Sequence, residues 1–137
     1  REAVGLLIER VAFVAGAGTF GLSAGLITAH GVAMRLGSVV TALELAPDAR
    51  PYGDDPFAWC TRCGACIRRC PGHAIGREFT DRDKPGCANY CVTHVNPGRE
   101  EHYGWLNRAL GCALCQTAVP CEFQRPGVRD LQPSPAQ

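Results

Sequence analysis

Nine cysteines in 137 residues are the side chains of this sequence best suited to chemistry. Four of them, Cys60, Cys63, Cys66 and Cys70, fall in the stretch CTRCGACIRRCP with the spacing C-x2-C-x2-C-x3-C-P. This spacing allows one loop to wrap three thiolates around a cubic [4Fe–4S] cluster, while the fourth thiolate points away toward a second cluster. Gly64 would let the loop close tightly. The run therefore predicts an iron–sulfur site that needs further cysteines.

The remaining cysteines are enough to complete two clusters. Bacterial ferredoxins share such a run between two clusters, which leaves four ligands to be found elsewhere. The five cysteines outside the first run are Cys87, Cys91, Cys112, Cys115 and Cys121. The second run, CALCQTAVPC, has Ala118 where a repeat of the first run would place its third cysteine. The second cluster must therefore recruit a ligand from outside this run. Cys87 and Cys91 are the candidates, since residues four apart share one face of a helix.

Zinc and disulfide bonds are the competing interpretations of the cysteines. A zinc site takes four ligands, and Cys60 and Cys63 with Cys112 and Cys115 would supply two C-x2-C pairs. That arrangement leaves five cysteines without a role. Disulfides between such closely spaced residues are strained, and nine cysteines cannot pair completely. The sequence therefore favours iron–sulfur binding over a zinc-binding interaction module.

Composition narrows the class of protein. Fourteen Lys and Arg against 13 Asp and Glu give a net charge of +1, which argues against a dedicated polyanion-binding protein. Sixteen glycines and ten prolines predict a loop-rich chain that needs metal or disulfide staples. No secretory signal is recognisable, and clustered cysteines fit a reducing compartment, so we predict a cytoplasmic protein. Residues 11–29 are uncharged and long enough to span a bilayer, but their glycines argue against a membrane segment.

Periodicity predicts few regular elements. Apolar residues recur at helical spacing over residues 2–15, whereas residues 22–29 fit either a helix or a strand. Residues 35–45 are rich in β-branched side chains and predict a strand. Three prolines in residues 46–59 predict a linker. A short helix is expected after Pro85 and another over residues 99–111.

A glycine pattern offers a weaker site prediction. Gly16, Gly18 and Gly21 match G-x-G-x-x-G. A dinucleotide site needs a strand before this motif and a helix after it, and here a helix is predicted before it. We therefore expect a tight structural turn.

The cysteine pattern resembles that of a known family. CTRCGACIRRCPGHAI, an isolated cysteine in GCANY, and GCALCQ together resemble the ferredoxin-like module of epoxyqueuosine reductases, and related modules occur in cobalamin-dependent reductive dehalogenases. The stretch ERVAFVAGAGTFGLSAGLITAHGVAMRLGSVVTALEL resembles the end of that family's cobalamin-binding domain. The likeness covers roughly residues 8–124. It places Gly16, Gly18 and Gly21 in a corrinoid neighbourhood.

The resemblance implies a ligand set for each cluster. The first cluster would be held by Cys60, Cys63, Cys66 and Cys121, and the second by Cys70, Cys87, Cys112 and Cys115. Cys91 would then be a spare thiol that packs as a small buried hydrophobe. The second run departs from the family's usual C-x2-C-x3-C-P, since it reads C-x2-C-x5-C with Pro120 before the last cysteine.

The resemblance also implies a fold class and partners. We expect an α+β protein in which a loop-rich, two-[4Fe–4S] ferredoxin-like module with short helices follows a truncated α/β segment. The expected parts are a cobalamin-domain remnant, a linker, the two-cluster module and a flexible tail, at residues 1–48, 49–59, 60–124 and 125–137. An external flavodoxin- or ferredoxin-type donor would supply single electrons, and family analogy alone adds a tRNA contact.

Catalysis by this chain alone is not expected. Most of the family's cobalamin domain would lie upstream of Arg1, so cobalamin is expected only with a complete upstream domain. The family's proposed catalytic aspartate would fall near Ala3, where no aspartate stands. The predicted function is electron transfer through two clusters to a reductase centre, and the alternative is a stand-alone ferredoxin-like carrier. Arg62, Arg68, Arg69 and Arg77 surround the first run and would offset cluster charge, dock a donor or form a solvated face.

Overall fold

The computed structural model describes residues 3–99 and 111–127. The chain forms two compact units. The first contains residues 1–21, 25–61 and 120–137, and the second contains residues 22–24 and 62–119. The helix predicted over 99–111 lies almost wholly outside the described residues, as does the predicted tail from residue 128 onward.

The first unit begins with helix α1 (Ala3–Val14), which confirms the helix predicted over residues 2–15. The helix ends in a Schellman motif, in which the Ala17 N–H donates to the Ala12 carbonyl and the Gly16 N–H donates to the Phe13 carbonyl. Gly16 has a φ of +82°, in the left-handed region that glycine adopts without steric cost. The first glycine of the G-x-G-x-x-G pattern therefore terminates a helix.

A short hairpin follows α1. Strands β1 (Gly18–Phe20) and β2 (Leu26–Thr28) pair antiparallel, with Thr19 opposite Ile27, and these two residues are almost completely buried. A Cβ on Gly18 would overlap the Ile27 carbonyl, and one on Gly21 would lie 3.3 Å from Ile27 Cδ1. The order of helix before strand is the reverse of the dinucleotide motif. The helix end and the close packing of the hairpin therefore account for these glycines, and their position near a corrinoid stays a prediction.

The prediction of a strand over residues 35–45 is wrong. The backbone there has no strand conformation, and no strand of the described chain pairs with it. Val39 and Val40 are 88% and 99% exposed. β-Branched residues favour a strand only where cross-strand neighbours and burial stabilise it, and the described part of this unit supplies neither to this segment.

The segment predicted as a linker is irregular but packed. Tyr52 stacks on Phe13 at 5.3 Å between ring centroids, and its hydroxyl donates to the Phe13 carbonyl. The Trp59 ring meets Tyr52 edge-on at 5.2 Å. The Trp59 N–H donates to the buried Thr19 hydroxyl over 3.0 Å. Aromatic contacts therefore fix the residues that lead into the first cysteine run against α1 and the hairpin.

The segment that carries Cys121 is also anchored in the first unit. The Val32 N–H donates to the Cys121 carbonyl over 2.8 Å, and the Ala33 N–H donates to the Glu122 carbonyl over 2.9 Å. Gly31 makes this approach possible, because a Cβ there would overlap the Glu122 carbonyl and lie 2.6 Å from the Gln124 nitrogen. Arg125 lies over the Trp59 ring, 5.1 Å from its centroid.

The second unit contains short helical pieces joined by loops. Helix α2 (Ala65–Arg69) lies inside the first cysteine run. Helix α3 (Lys84–Tyr90) confirms the helix predicted after Pro85 and continues directly into a π turn, Cys91–Val95. A 3-10 turn, Leu114–Gln116, carries Cys115. Across the described ranges, no helix has the length and apolar character needed to cross a membrane.

Replacing Gly31 should test the contact that holds the Cys121 segment. Gly31→Ala would add both left-handed strain, about 1–2 kcal/mol for a non-glycine residue, and overlap with the Glu122 carbonyl. We expect the midpoint of denaturant unfolding to fall. The matched control is Gly127→Ala, which has nearly the same φ, +88° against +87°, but no atom within 4 Å of the added Cβ. Equal destabilisation by the two variants would show that the close approach contributes nothing.

Candidate metal centre

Cys70 ends helix α2 and starts the turn that follows it. The helix begins after Gly64, whose φ is +71°, and Cys70 is its C-terminal cap. The Cys70 side chain is buried, and its sulfur accepts a hydrogen bond from the Ala74 N–H at 3.3 Å. This hydrogen bond and the burial of the side chain fix the position of the Cys70 sulfur at the end of the helix.

Cys115 is held beside Cys70 by the packing of its 3-10 turn on α2. The Arg69 Nε donates to the Thr117 carbonyl over 2.9 Å, which ties the last residue of the helix to the segment after Cys115. The thiols of Cys115 and Cys70 interact electrostatically as a result. The first and second cysteine runs therefore meet through α2.

A backbone pairing leads from Cys70 to the helix that carries Cys87. The Asp83 N–H donates to the Ala74 carbonyl over 3.0 Å, and the Gly76 N–H donates to the Asp81 carbonyl over 3.2 Å. A Cβ on Gly76 would overlap the Asp81 side chain, so the two segments can lie this close only because Gly76 is glycine. This pairing fixes the backbone of Arg82, which bridges to Ile75.

Asp83 caps helix α3 and so fixes the start of the turn that presents Cys87. Its Oδ1 accepts from the Gly86 N–H at 2.9 Å, and its carbonyl accepts from the Cys87 N–H at 3.0 Å. Pro85 stands in the first turn, where its missing N–H costs no helical hydrogen bond. An Asp cap stabilises a helix by about 1 kcal/mol relative to alanine.

Helix α3 also packs on the turn after Cys70. A Cβ on Gly72 would lie 2.9 Å from the Tyr90 Cβ, so the glycine permits close contact. The Tyr90 ring in turn stacks on the His94 ring at 4.6 Å between centroids. Two separate contacts, the capped helix start and this packing near its end, therefore orient α3 toward Cys70.

Five thiols gather in the second unit. Cys115 interacts electrostatically with Cys70, Cys87 and Cys112, and Cys91 interacts with Cys87 and Cys112. Burial is the main reason that the pKa of the Cys115 thiol is raised to about 11; Arg82 lowers this pKa in part, and the neighbouring thiols of Cys112, Cys70 and Cys87 contribute to raising it. Burial also raises the pKa of Cys91, against a hydrogen bond with the Cys112 backbone that lowers it. With their pKa values raised, the thiols of Cys91 and Cys115 carry protons at neutral pH.

Arg82 is the positive group at this set of thiols. Its Nη2 donates to the Cys87 sulfur over 3.1 Å. Its charge opposes the upward shift in the pKa of Cys115. Its Nη1 is buried and has no hydrogen-bond partner among the described residues. An unpaired buried donor of this kind is costly unless an acceptor completes it.

Left-handed backbone residues cluster near the cysteines. The described chain has five non-glycine residues with positive φ, and four of them lie within three residues of a cysteine: Arg62, His73, Ala113 and Ala118. Such conformations are strained for these residue types. Turns of this kind point successive backbone N–H groups into one concavity and favour a bound anion, as at many iron–sulfur sites.

The other predicted ligands divide between the two units. Cys60 and Cys121 belong to the first unit, and Cys63 and Cys66 belong to the second. The grouping of these four around one cluster therefore stays a prediction. All nine cysteines lie in the described ranges, and none forms a disulfide.

No set of three His, Cys, Asp or Glu side chains in residues 3–99 and 111–127 converges closely enough to hold a single metal ion. Four thiolates that bind a cubic cluster attach to four different irons, so they need not converge on one point.

Sequence reasoning missed two residues of this site. Asp83 carries a recognisable signal, because Asp followed by proline two residues later marks the start of a helix. Arg82 carries none, since only the pairing of the loop before α3 brings its guanidinium to Cys87. The structure gives contacts for two of the arginines singled out from the sequence. Arg62 is exposed and pairs with Glu78, and Arg69 binds the Thr117 carbonyl.

Two curated proteins show sequence similarity to this chain. An epoxyqueuosine reductase from Synechococcus sp. (strain CC9605) is 32% identical over 146 residues, which cover 98% of this chain and 42% of that protein. An epoxyqueuosine reductase from Leadbetterella byssophila is 30% identical over 119 residues, which cover 82% of this chain and 36% of that protein. The chain spans less than half the length of these relatives. No protein-family model and no solved structure matches it.

Proposed function

We propose that this chain is an iron–sulfur electron-transfer module that binds two [4Fe–4S] clusters. Cys70, Cys87, Cys112 and Cys115 would hold one cluster, and Cys60, Cys63, Cys66 and Cys121 would hold the other. The observation that carries the proposal is the gathering of Cys70, Cys87 and Cys112 around Cys115 in the second unit. These four come from three separate segments of the chain, so their proximity results from the fold.

The chemistry of the second unit fits a cluster. An all-thiolate donor set is typical of [4Fe–4S] binding. The Ala74 N–H donates to the sulfur of Cys70, and Arg82 donates to the sulfur of Cys87. These donors would offset the negative charge that thiolates and sulfides bring together. A cluster bound there would accept and release single electrons, while the protein holds its ligands and limits access of water to buried Cys70.

The first cluster rests on the ferredoxin-type spacing and on the family resemblance. Within the first unit, Cys121 is anchored through Val32, and Trp59 next to Cys60 packs under Arg125. Within the second unit, Gly64 and helix α2 shape the part of the run that carries Cys66. These contacts support ordered ligand loops.

The similarity to two epoxyqueuosine reductases supports a role within an oxidoreductase of that kind. The module would pass electrons from a flavodoxin- or ferredoxin-type donor in the cytoplasm to a reductase centre. Cobalamin would belong to residues outside this chain, and a tRNA contact rests on family analogy alone. A stand-alone ferredoxin-like carrier is the second candidate, because the clusters would need nothing more to carry electrons.

Metal analysis tests the iron–sulfur proposal directly. Protein purified without oxygen should be brown and contain about eight iron and eight sulfide per chain, since each cubic cluster holds four of each. Iron, acid-labile sulfide and zinc are measured on the same sample. A colourless protein with one or two zinc ions and no sulfide would show instead a zinc-binding interaction module.

Paired cysteine variants test which helix thiol is a ligand. Cys87→Ser should lose one cluster, about four irons, because Cys87 contacts both Arg82 and the thiols around Cys115. Cys91→Ser should keep both clusters, since Cys91 is buried and is not among the eight proposed ligands. Iron counts in the opposite order would exchange the two residues in the ligand assignment. The variants are matched in chemistry and lie four residues apart.

Corrinoid binding separates a reductase from a carrier. If the module serves an epoxyqueuosine reductase-like enzyme, the full-length gene product should retain added cob(II)alamin through gel filtration. Its clusters, once reduced, should then reduce the retained corrinoid, and this is followed by visible absorbance. Full clusters with no retention of cob(II)alamin would favour the stand-alone carrier.

A further inference from the structure

One terminal nitrogen of the Arg82 guanidinium has a hydrogen-bond partner among the described residues, and the other has none. Its Nη2 is bonded to the Cys87 sulfur, whereas its Nη1 is buried without a partner in the part of the chain that the structure describes. Both nitrogens belong to one planar guanidinium, so the fork that reaches Cys87 also fixes where Nη1 points. A second acceptor beside the Cys87 sulfur would complete the pair.

The backbone around Arg82 holds this geometry in place. Residues on both sides of it are paired, with Asp81 accepting from Gly76 and Asp83 donating to Ala74. Asp83 then caps the helix that carries Cys87. The arginine and the cysteine that it contacts are therefore tied to one scaffold, and the contact is not a chance approach of a long exposed side chain.

We propose that Arg82 is a positioning residue of the second cluster, which orients the Cys87 thiolate through Nη2 and donates through Nη1 to a sulfur of the cluster bound by Cys70, Cys87, Cys112 and Cys115. This inference rests on the proposed function. A fixed positive charge and a hydrogen bond to sulfur stabilise the reduced cluster, which carries one more negative charge than the oxidised cluster. Arg82 therefore raises the reduction potential of this cluster relative to a neutral residue.

Arginine fits this position better than lysine would. Its guanidinium presents two parallel N–H groups and keeps its charge at any accessible pH, so it can bond a thiolate and a neighbouring sulfur together. A lysine would retain the charge but offer a single point of contact. The two properties, charge and fork, can therefore be separated by substitution.

The test uses anaerobically purified holoprotein, with iron counted in every sample. Arg82→Gln should keep about eight irons and lower the midpoint potential of one cluster, with at least a tenfold change in its reduction equilibrium, or about 59 mV for one electron. Arg82→Lys should recover part of that shift. The control Arg99→Gln removes an exposed arginine elsewhere in the second unit and should leave both midpoints unchanged. Midpoints are read from redox titrations followed by electron paramagnetic resonance.

A second measurement does not depend on how well a variant folds. Wild-type protein labelled with ¹⁵N in the guanidinium groups of arginine should show, when reduced, a ¹⁵N hyperfine coupling at one cluster, and Arg82→Lys should lose it. Absence of this coupling in the wild type, or unchanged midpoints in Arg82→Gln with all iron retained, would overturn the inference. Wild-type protein without clusters would instead overturn the proposed function, so the two failures are distinct.

Discussion

The arrangement of the second unit depends on two hydrogen bonds made by the backbone of Ala74. Its N–H donates to the Cys70 sulfur, and its carbonyl accepts from the Asp83 N–H. Ala74 is 1% exposed, so neither bond competes with bulk water. Because Asp83 caps the helix of Cys87, one buried residue connects thiols that are seventeen positions apart in the chain.

Charge is the second constraint on this unit. Burial and the neighbouring thiols both disfavour the thiolate of Cys115, so the pKa of this residue is raised to about 11. The positive charge of Arg82 lowers that pKa in part. Iron would supply the missing positive charge, and binding would release the protons. In the proposed function, thiolates that repel one another would become favourable neighbours around iron, and metal loading would then stabilise this unit.

Local signals made part of this structure predictable from the sequence. The apolar spacing of α1 and the Asp-x-Pro start of α3 mark helices that the structure contains. The four-residue separation of Cys87 and Cys91 on a predicted helix also correctly indicated that they lie close together. The strand prediction for residues 35–45 failed because β-propensity produces a strand only where another strand pairs with it, and the described chain offers that segment none. The role of Arg82 could not be predicted, because its contact with Cys87 depends on a backbone pairing between residues 74–76 and 81–83. No local sequence pattern indicates this pairing.

The structure gives a reason for the irregular spacing of the second cysteine run. Between Cys115 and Cys121 the chain passes from the second unit to the first, at residues 119 and 120. Ala118, at the position where a ferredoxin repeat would have cysteine, has a φ of +53° and precedes buried Val119. The carbonyl of Cys121 then pairs with Val32 in the first unit. Because Cys115 and Cys121 are anchored in different units, the five residues between them need not follow the spacing of a single cluster loop.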